Sequence, residues 1–161
     1  HAILIPEIPF NLETVAARIR ERDGQGRMYS LVMVAEGAQP AHGQRAIVAQ
    51  AEVGHAERLG GIGERVARAL GELTGKDART VVLGHLLRGG SPTTFDRLAA
   101  LRFGAAAVRG LEEGQSGVMV ALAFPNVKYV PLEEVAGRMK SVPLDGDTLL
   151  TGRDLGISFG D

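Results

Sequence analysis

Hydrophobic and polar positions alternate along the chain in blocks that predict strands and helices in turn. The apolar residues 2–6 predict a first strand. Asn11 then predicts a helix N-cap, because an asparagine side chain accepts hydrogen bonds from the free N–H groups of a first turn. The apolar residues that follow recur at helical spacing, namely Leu12, Val15, Ala16 and Ile19. The glycine-containing residues 24–26 end this predicted helix.

The same reasoning predicts four more elements further along the chain. Residues 29–35 and 118–124 are apolar runs of strand length. Residues 62–73 carry an apolar stripe at helical spacing, and Gly75 is the predicted C-cap of that helix. Residues 131–140 predict a short helix, because proline opens it and acidic residues occupy its first turn.

Residues 79–92 combine an apolar run, basic side chains, paired glycines and helix-start residues. The run 81–83 is short and rich in β-branched residues, so it predicts an inner strand of a parallel sheet that Gly84 ends. Ser91 is the predicted N-cap of a helix from Pro92 to about Gly110. The N–H groups of that helix would point into the crevice beyond the strand, where an anion fits.

His85 and Arg88 are predicted to emerge into this crevice. A guanidinium can bind phosphate oxygens in a bidentate way, and each such bond contributes roughly 1.5–3 kcal/mol when water is excluded. The pattern therefore indicates a site for a phosphorylated sugar. The alternative for the bare pattern is ordinary loop chemistry, in which Gly89 and Gly90 precede a helix and the basic side chains are solvated.

The alternation of strands and helices predicts an α/β fold with a mainly parallel sheet and helices on both faces, over residues 1–140. Residues from about 37 to 61 have no clear period and are predicted to be an irregular insertion. Residues 141–161 are rich in proline, aspartate and glycine, so we predict an extended C-terminal tail on a neighbouring surface.

Composition narrows the function classes. Eighteen basic and nineteen acidic residues give a net charge of −1, which offers no broad positive surface for a nucleic acid. The chain has no cysteine, which removes thiolate chemistry and fits a reducing compartment. No apolar run approaches the ~20 residues of a membrane span. We therefore expect a cytoplasmic protein without a nucleic-acid or membrane partner.

The string LGHLLRGGSPTTFDRLAALRFGAAAV, residues 83–108, resembles the signature segment of the bacterial 6-phosphofructokinases. The resemblance extends to residues 3–7, 34–38 and 130–142, and so covers nearly the whole chain but only the later half of the family's protein. It implies a phosphofructokinase-like fold and transfer of phosphate to the 1-hydroxyl of fructose 6-phosphate in glycolysis. The alternative is a non-catalytic sugar-phosphate-binding or regulatory module that uses the same pocket.

The resemblance also implies roles for individual substrate-binding residues. His85 and Arg88 match the histidine and arginine that contact the phosphate and sugar of fructose 6-phosphate in relatives. Arg79 matches an arginine that reaches the 6-phosphate bound to an adjacent subunit, which implies a homo-oligomer. Glu36 matches a glutamate that accepts hydrogen bonds from sugar hydroxyls, a role suited to an ionised carboxylate because it only accepts.

The family's glycine-rich donor loop and its proton-accepting aspartate have no match in this sequence. We therefore expect a fragment whose upstream donor-binding domain is absent and which carries no catalytic residue. The resemblance implies Mg²⁺ and either ATP or pyrophosphate as donor, both bound mainly by the missing half. On this interpretation the isolated chain binds sugar phosphate weakly and is inactive.

Two further groups of residues are weaker candidates. Glu7 matches a glutamate that holds an effector and its metal ion in allosteric relatives, and Arg27 is the one matching basic residue of the effector cluster. His42 and His55 lack metal-ligand spacing, so we predict solvated loop residues and no metal site of the chain's own.

Overall fold

The computed structural model describes residues 1–41 and 61–161, and the backbone of 47–49 and 58–59. Its elements in chain order are β1 (Ala2–Leu4), α1 (Leu12–Gly24), β2 (Val32–Val34), β3 (Ile47–Ala49), β4 (Arg58–Leu59), α2 (Ile62–Thr74), a 3₁₀ turn (Gly84–Arg88), α3 (Thr94–Glu112), β5 (Val118–Ala123), β6 (Asn126–Pro131), α4 (Leu132–Val135) and α5 (Asp147–Asp154). Helices combined with a parallel strand pair give the α/β class that the sequence predicts. No helix of the described residues is long and apolar enough to cross a bilayer.

The chain divides into two compact units. The first unit comprises His1–Val82 and Ser141–Asp161, and the second comprises Leu83–Lys140. In the first unit, β1 and β2 pair in parallel, with Ala2 opposite Val32 and Leu4 opposite Val34. Both predicted strands exist here but are shorter than predicted.

α1 and α2, both in the first unit, agree closely with the sequence pattern. The Asn11 side chain accepts a hydrogen bond from the backbone N–H of Glu13 at 2.9 Å, and this confirms it as the N-cap of α1. Gly75 ends α2 with a φ of 68°, and its N–H donates to the Gly71 carbonyl at 2.9 Å. Both predictions depend on local signals, which explains their success.

The first unit contains the main hydrophobic core. Apolar faces of α1, α2 and β1 meet there, and Phe10, Leu4 and Val15 are its largest fully buried side chains. Gly160 closes against this core with a φ of 85°, and a Cβ at this position would lie 2.5 Å from the Phe10 Cβ. Glycine is therefore required at position 160 by both backbone conformation and space.

The prediction of an extended tail over 141–161 is wrong. This segment contains α5, and Leu149 and Phe159 are buried in a small cluster with Ile8. The Ile3 N–H donates to the Ser158 carbonyl at 2.9 Å, so the segment 141–161 is hydrogen-bonded to β1. The helix forms here because the apolar residues of this segment are buried, and composition alone does not predict that burial.

The predicted irregular insertion, about 37–61, contains two strands. β3 and β4 pair antiparallel, with Ile47 opposite Leu59. Residues 42–46, 50–57 and 60 lie outside the described residues, and with them His42 and His55.

The second unit is a helix packed on a hairpin. β5 confirms the predicted strand 118–124, and it pairs antiparallel with β6, which the sequence pattern missed. The predicted helix 131–140 is reduced to α4, since Ala136 is already extended and Gly137 has a φ of 74°. The Tyr129 hydroxyl donates to the Ala106 carbonyl at 2.8 Å and so fastens α3 to the hairpin.

Candidate functional site

The apolar run before the candidate site is not a strand. Val81 and Val82 are 76% and 81% exposed, and the prediction of a covered inner strand at 81–83 is wrong. An inner strand needs hydrogen-bonding partners on both edges. None of the described strands pairs with this run.

His85 and Arg88 instead lie in the 3₁₀ turn. The Leu86 N–H donates to the Leu83 carbonyl at 3.0 Å, and the Gly89 N–H donates to the Leu86 carbonyl at 3.1 Å. A 3₁₀ helix has about three residues per turn, so residues three apart lie above one another. The turn therefore carries His85 and Arg88 on one side, and both residues are exposed.

Gly90, the second glycine after the turn, is favoured by its backbone conformation. Gly90 has a φ of 106°, which residues with a Cβ rarely adopt. A Cβ on Gly89 would lie 3.3 Å from the Leu86 carbonyl oxygen, which accepts the bond that closes the turn.

The N-terminus of α3 differs from the prediction in both its position and its charge. Thr93, not Ser91, is the N-cap, and it forms a capping box with Asp96. The Thr93 N–H donates to the Asp96 carboxylate at 2.7 Å, and the Thr93 hydroxyl accepts from the Asp96 N–H at 3.2 Å. The capping box therefore takes up the N–H groups of Thr93 and Asp96, so neither of these two donors is free for the anion that the sequence predicts at this helix end.

Hydrogen bonds from the Thr93 hydroxyl and then from its backbone N–H hold the pKa of Asp96 below its ordinary value. The carboxylate is therefore ionised at neutral pH, where its charge also favours the helix N-terminus. A Thr-x-x-Asp pattern is visible in the sequence and is the signal that would have located this cap.

Replacing Thr93 by alanine is expected to lower the free energy of unfolding by about 1 kcal/mol, since the cap loses both hydroxyl bonds. Ser91→Ala is the matched control and is expected to change stability by less than about 0.5 kcal/mol. Urea denaturation followed by circular dichroism measures both. An equal cost for the two variants would contradict the capping box.

Glu36 and Arg79, the other two predicted substrate-binding residues, lie in the first unit. Glu36 is exposed and follows β2 after a single residue. The Arg79 guanidinium lies 3.6 Å from the Asp77 carboxylate, and both side chains are more than 80% exposed. Such an exposed pair contributes little to stability, so Arg79 is available to a ligand.

Glu7 has a structural partner. One of its carboxylate oxygens accepts the Val142 N–H at 2.8 Å, which ties residue 7 to the start of the segment 141–161. The other oxygen is buried and has no hydrogen-bond partner among the described residues. Arg27 is exposed and bonds through its backbone N–H to the Arg22 carbonyl at 3.0 Å. Their predicted effector role stays a prediction.

The described part of the chain gathers no group of three or more histidine, aspartate or glutamate side chains that would hold a metal ion. It does place two basic residues, His85 and Arg88, on one turn, and Gly89 and Gly90 follow that turn.

Comparison with known proteins identifies the family of this chain. The model of the phosphofructokinase family matches residues 1–111 of the 161. The chain belongs to the phosphofructokinase family. The match includes the 3₁₀ turn, both glycines and nearly all of α3, and it confirms the resemblance seen in residues 83–108.

Individual relatives support the family assignment and show how much of a family member's length this chain covers. The chain is 50% identical to the ATP-dependent 6-phosphofructokinase of Chloroflexus aggregans over 159 residues, which are 99% of this chain and 43% of that protein. It is 41% identical to ATP-dependent 6-phosphofructokinase 1 of Synechocystis, with 99% and 44% covered. The chain spans less than half the length of the curated relatives it matches.

Solved phosphofructokinase structures share the fold. The pyrophosphate-dependent phosphofructokinase of Nitrosospira multiformis matches with a TM-score of 0.68 and 22% identity over 99% of this chain and 41% of that one. The corresponding enzyme of Marinobacter aquaeolei matches with a TM-score of 0.65 and 24% identity, covering 89% and 34%. The phosphofructokinase-like α/β fold predicted from the sequence is confirmed.

Proposed function

We propose that this chain binds fructose 6-phosphate as the acceptor-binding part of a 6-phosphofructokinase. The observation that carries the proposal is the placement of His85 and Arg88 on one side of a single exposed turn in a member of this family. Two basic side chains on one side can bind a phosphate group together. Gly89 and Gly90 add no side chain that would block a ligand beside the turn.

Each predicted residue has a distinct task in this proposal. Arg88 binds the 6-phosphate through charge-assisted hydrogen bonds, and His85 contacts the phosphate and sugar. Glu36 accepts hydrogen bonds from sugar hydroxyls. Arg79 reaches the phosphate bound to an adjacent copy of the chain, so that a homo-oligomer completes the site.

The chain's contribution to catalysis is alignment. Phosphoryl transfer depends mainly on the positioning of the reactants and on neutralisation of the charge at the transferring group. Mg²⁺ supplies that neutralisation when it is bound with the donor. The described residues gather no ligand set for that ion, so we assign donor and Mg²⁺ to the part of the relatives' length outside the match. The donor is ATP or pyrophosphate, and the cytoplasm is the expected location.

A thermal-shift titration of the full chain tests the proposal. Fructose 6-phosphate is expected to raise the melting temperature, because a ligand at 100 times its Kd adds about 2.7 kcal/mol to folding stability. Fructose, which lacks the phosphate, is the matched control and is expected to have no effect. Stabilisation by ATP but not by fructose 6-phosphate would contradict this assignment of roles.

A further inference from the structure

We infer that Asp96 is a positioning residue for the phosphate site at the 3₁₀ turn, an inference that rests on the proposed function. The Asp96 carboxylate accepts hydrogen bonds of 2.7 Å from both the N–H and the hydroxyl of Thr93. These bonds fix the residue at which α3 begins, and that residue closely follows Arg88 in the chain. The task of the capping box is to hold the 3₁₀ turn, and with it His85 and Arg88, in place for a ligand.

The 3₁₀ turn has no anchor of its own. Within the described part of the chain, no hydrogen bond joins the turn to another element. None of its residues is buried, and its two leucines, Leu86 and Leu87, are 76% and 75% exposed. The turn is the first element of the second unit, and α3 is the next element after it. The start of α3 is therefore the nearest point that can fix the turn.

The start of α3 is held by local hydrogen bonds and not by burial. α3 begins at Thr94, and Ala106 is its first buried residue. A helix end without buried side chains frays unless its free N–H groups find acceptors. The capping box takes up the N–H groups of Thr93 and Asp96. Loss of the box lets the first turn of α3 unwind, and the segment without fixed structure then extends from Arg88 past Thr93.

The charge of Asp96 and its positioning role have opposite effects on phosphate binding. A carboxylate near a phosphate group opposes binding through like-charge repulsion, so loss of the charge alone would raise the affinity. Loss of positioning lowers the affinity, because the apparent affinity falls with the fraction of chains that hold the binding-competent turn. The direction of the change after removal of the Asp96 carboxylate therefore separates the two effects.

The test compares the wild-type full chain with Asp96→Ala and Asp96→Glu. NMR relaxation measures the backbone order parameters of residues 84–89, and isothermal titration calorimetry measures the affinity for fructose 6-phosphate. In Asp96→Ala the order parameters are expected to fall from about 0.85 to below about 0.6. The affinity is expected to fall at least about threefold. Asp96→Glu is expected to restore both values, because glutamate is a usual third residue of a capping box.

Asn11→Ala is the matched control, because it removes the N-cap of a helix in the first unit. It is expected to change neither the order parameters of residues 84–89 nor the affinity. Circular dichroism of each variant checks that the chain is folded. Thr93→Val repeats the test, since it removes the hydroxyl of the capping box and keeps the charge of Asp96.

Three results would overturn the inference. They are unchanged order parameters of residues 84–89 in Asp96→Ala, a higher affinity of this variant for fructose 6-phosphate, and equal losses in Asn11→Ala. A wild-type chain that binds no fructose 6-phosphate would instead refute the proposed function. In that case a turn that becomes mobile only in Asp96→Ala and Thr93→Val would still support the capping box as its anchor.

Discussion

Replacing Phe10 by alanine is expected to lower the free energy of unfolding by about 3–5 kcal/mol. Phe10 is 1% exposed and packs in the main core beside Leu4, while Gly160 closes over it. The truncation removes the ring from this core and leaves a cavity. Because folded domains are stable by only about 5–15 kcal/mol, this single change removes a large part of the total.

Urea denaturation of the full chain measures this cost. Phe124→Ala is the matched control, because Phe124 is 82% exposed and its loss is expected to change stability by less than about 0.5 kcal/mol. A similar effect of both substitutions would contradict the position of the core. A Phe10→Ala variant as stable as the wild type would also contradict the position of the core.

α1 and α2 were predicted closely because the signals at their ends are local. Asn11 and Gly75 mark the ends of α1 and α2 through hydrogen bonds within a few residues. Strand formation depends instead on a partner distant in sequence, which is why the apolar run 81–83 was misassigned and β6 was missed.

The prediction of where α3 begins failed for a different reason. Ser91 and Thr93 are both good N-cap residues, and Pro92 favours the first as a cap. The outcome is decided by Asp96, whose carboxylate bonds back to the Thr93 N–H. Reading three residues ahead of each candidate would have chosen Thr93.

The candidate site was predicted in part. His85 and Arg88 were expected in one crevice because they follow a predicted strand, and the structure places both in a 3₁₀ turn and not at a strand end. The capping role of Asp96 was not anticipated, and its carboxylate takes up the Thr93 N–H at this helix end. Glu36 and Arg79 entered only through family resemblance, because spacing cannot relate residues so far apart in sequence.

Arg88→Ala is expected to weaken binding of fructose 6-phosphate by about ten- to a hundredfold. A charge-assisted hydrogen bond contributes roughly 1.5–3 kcal/mol, and 1.4 kcal/mol corresponds to tenfold in affinity. Arg88 is exposed, so its truncation leaves no core cavity and the fold is expected to persist. Arg109→Ala is the matched control, since Arg109 is an exposed arginine near the far end of α3.

Isothermal titration calorimetry of fructose 6-phosphate into the wild-type chain and these two variants is the most direct measurement. The predicted result is saturable binding to the wild type, the same affinity in Arg109→Ala, and a loss of at least about tenfold in Arg88→Ala. Equal affinity in all three proteins would contradict a phosphate site at the 3₁₀ turn.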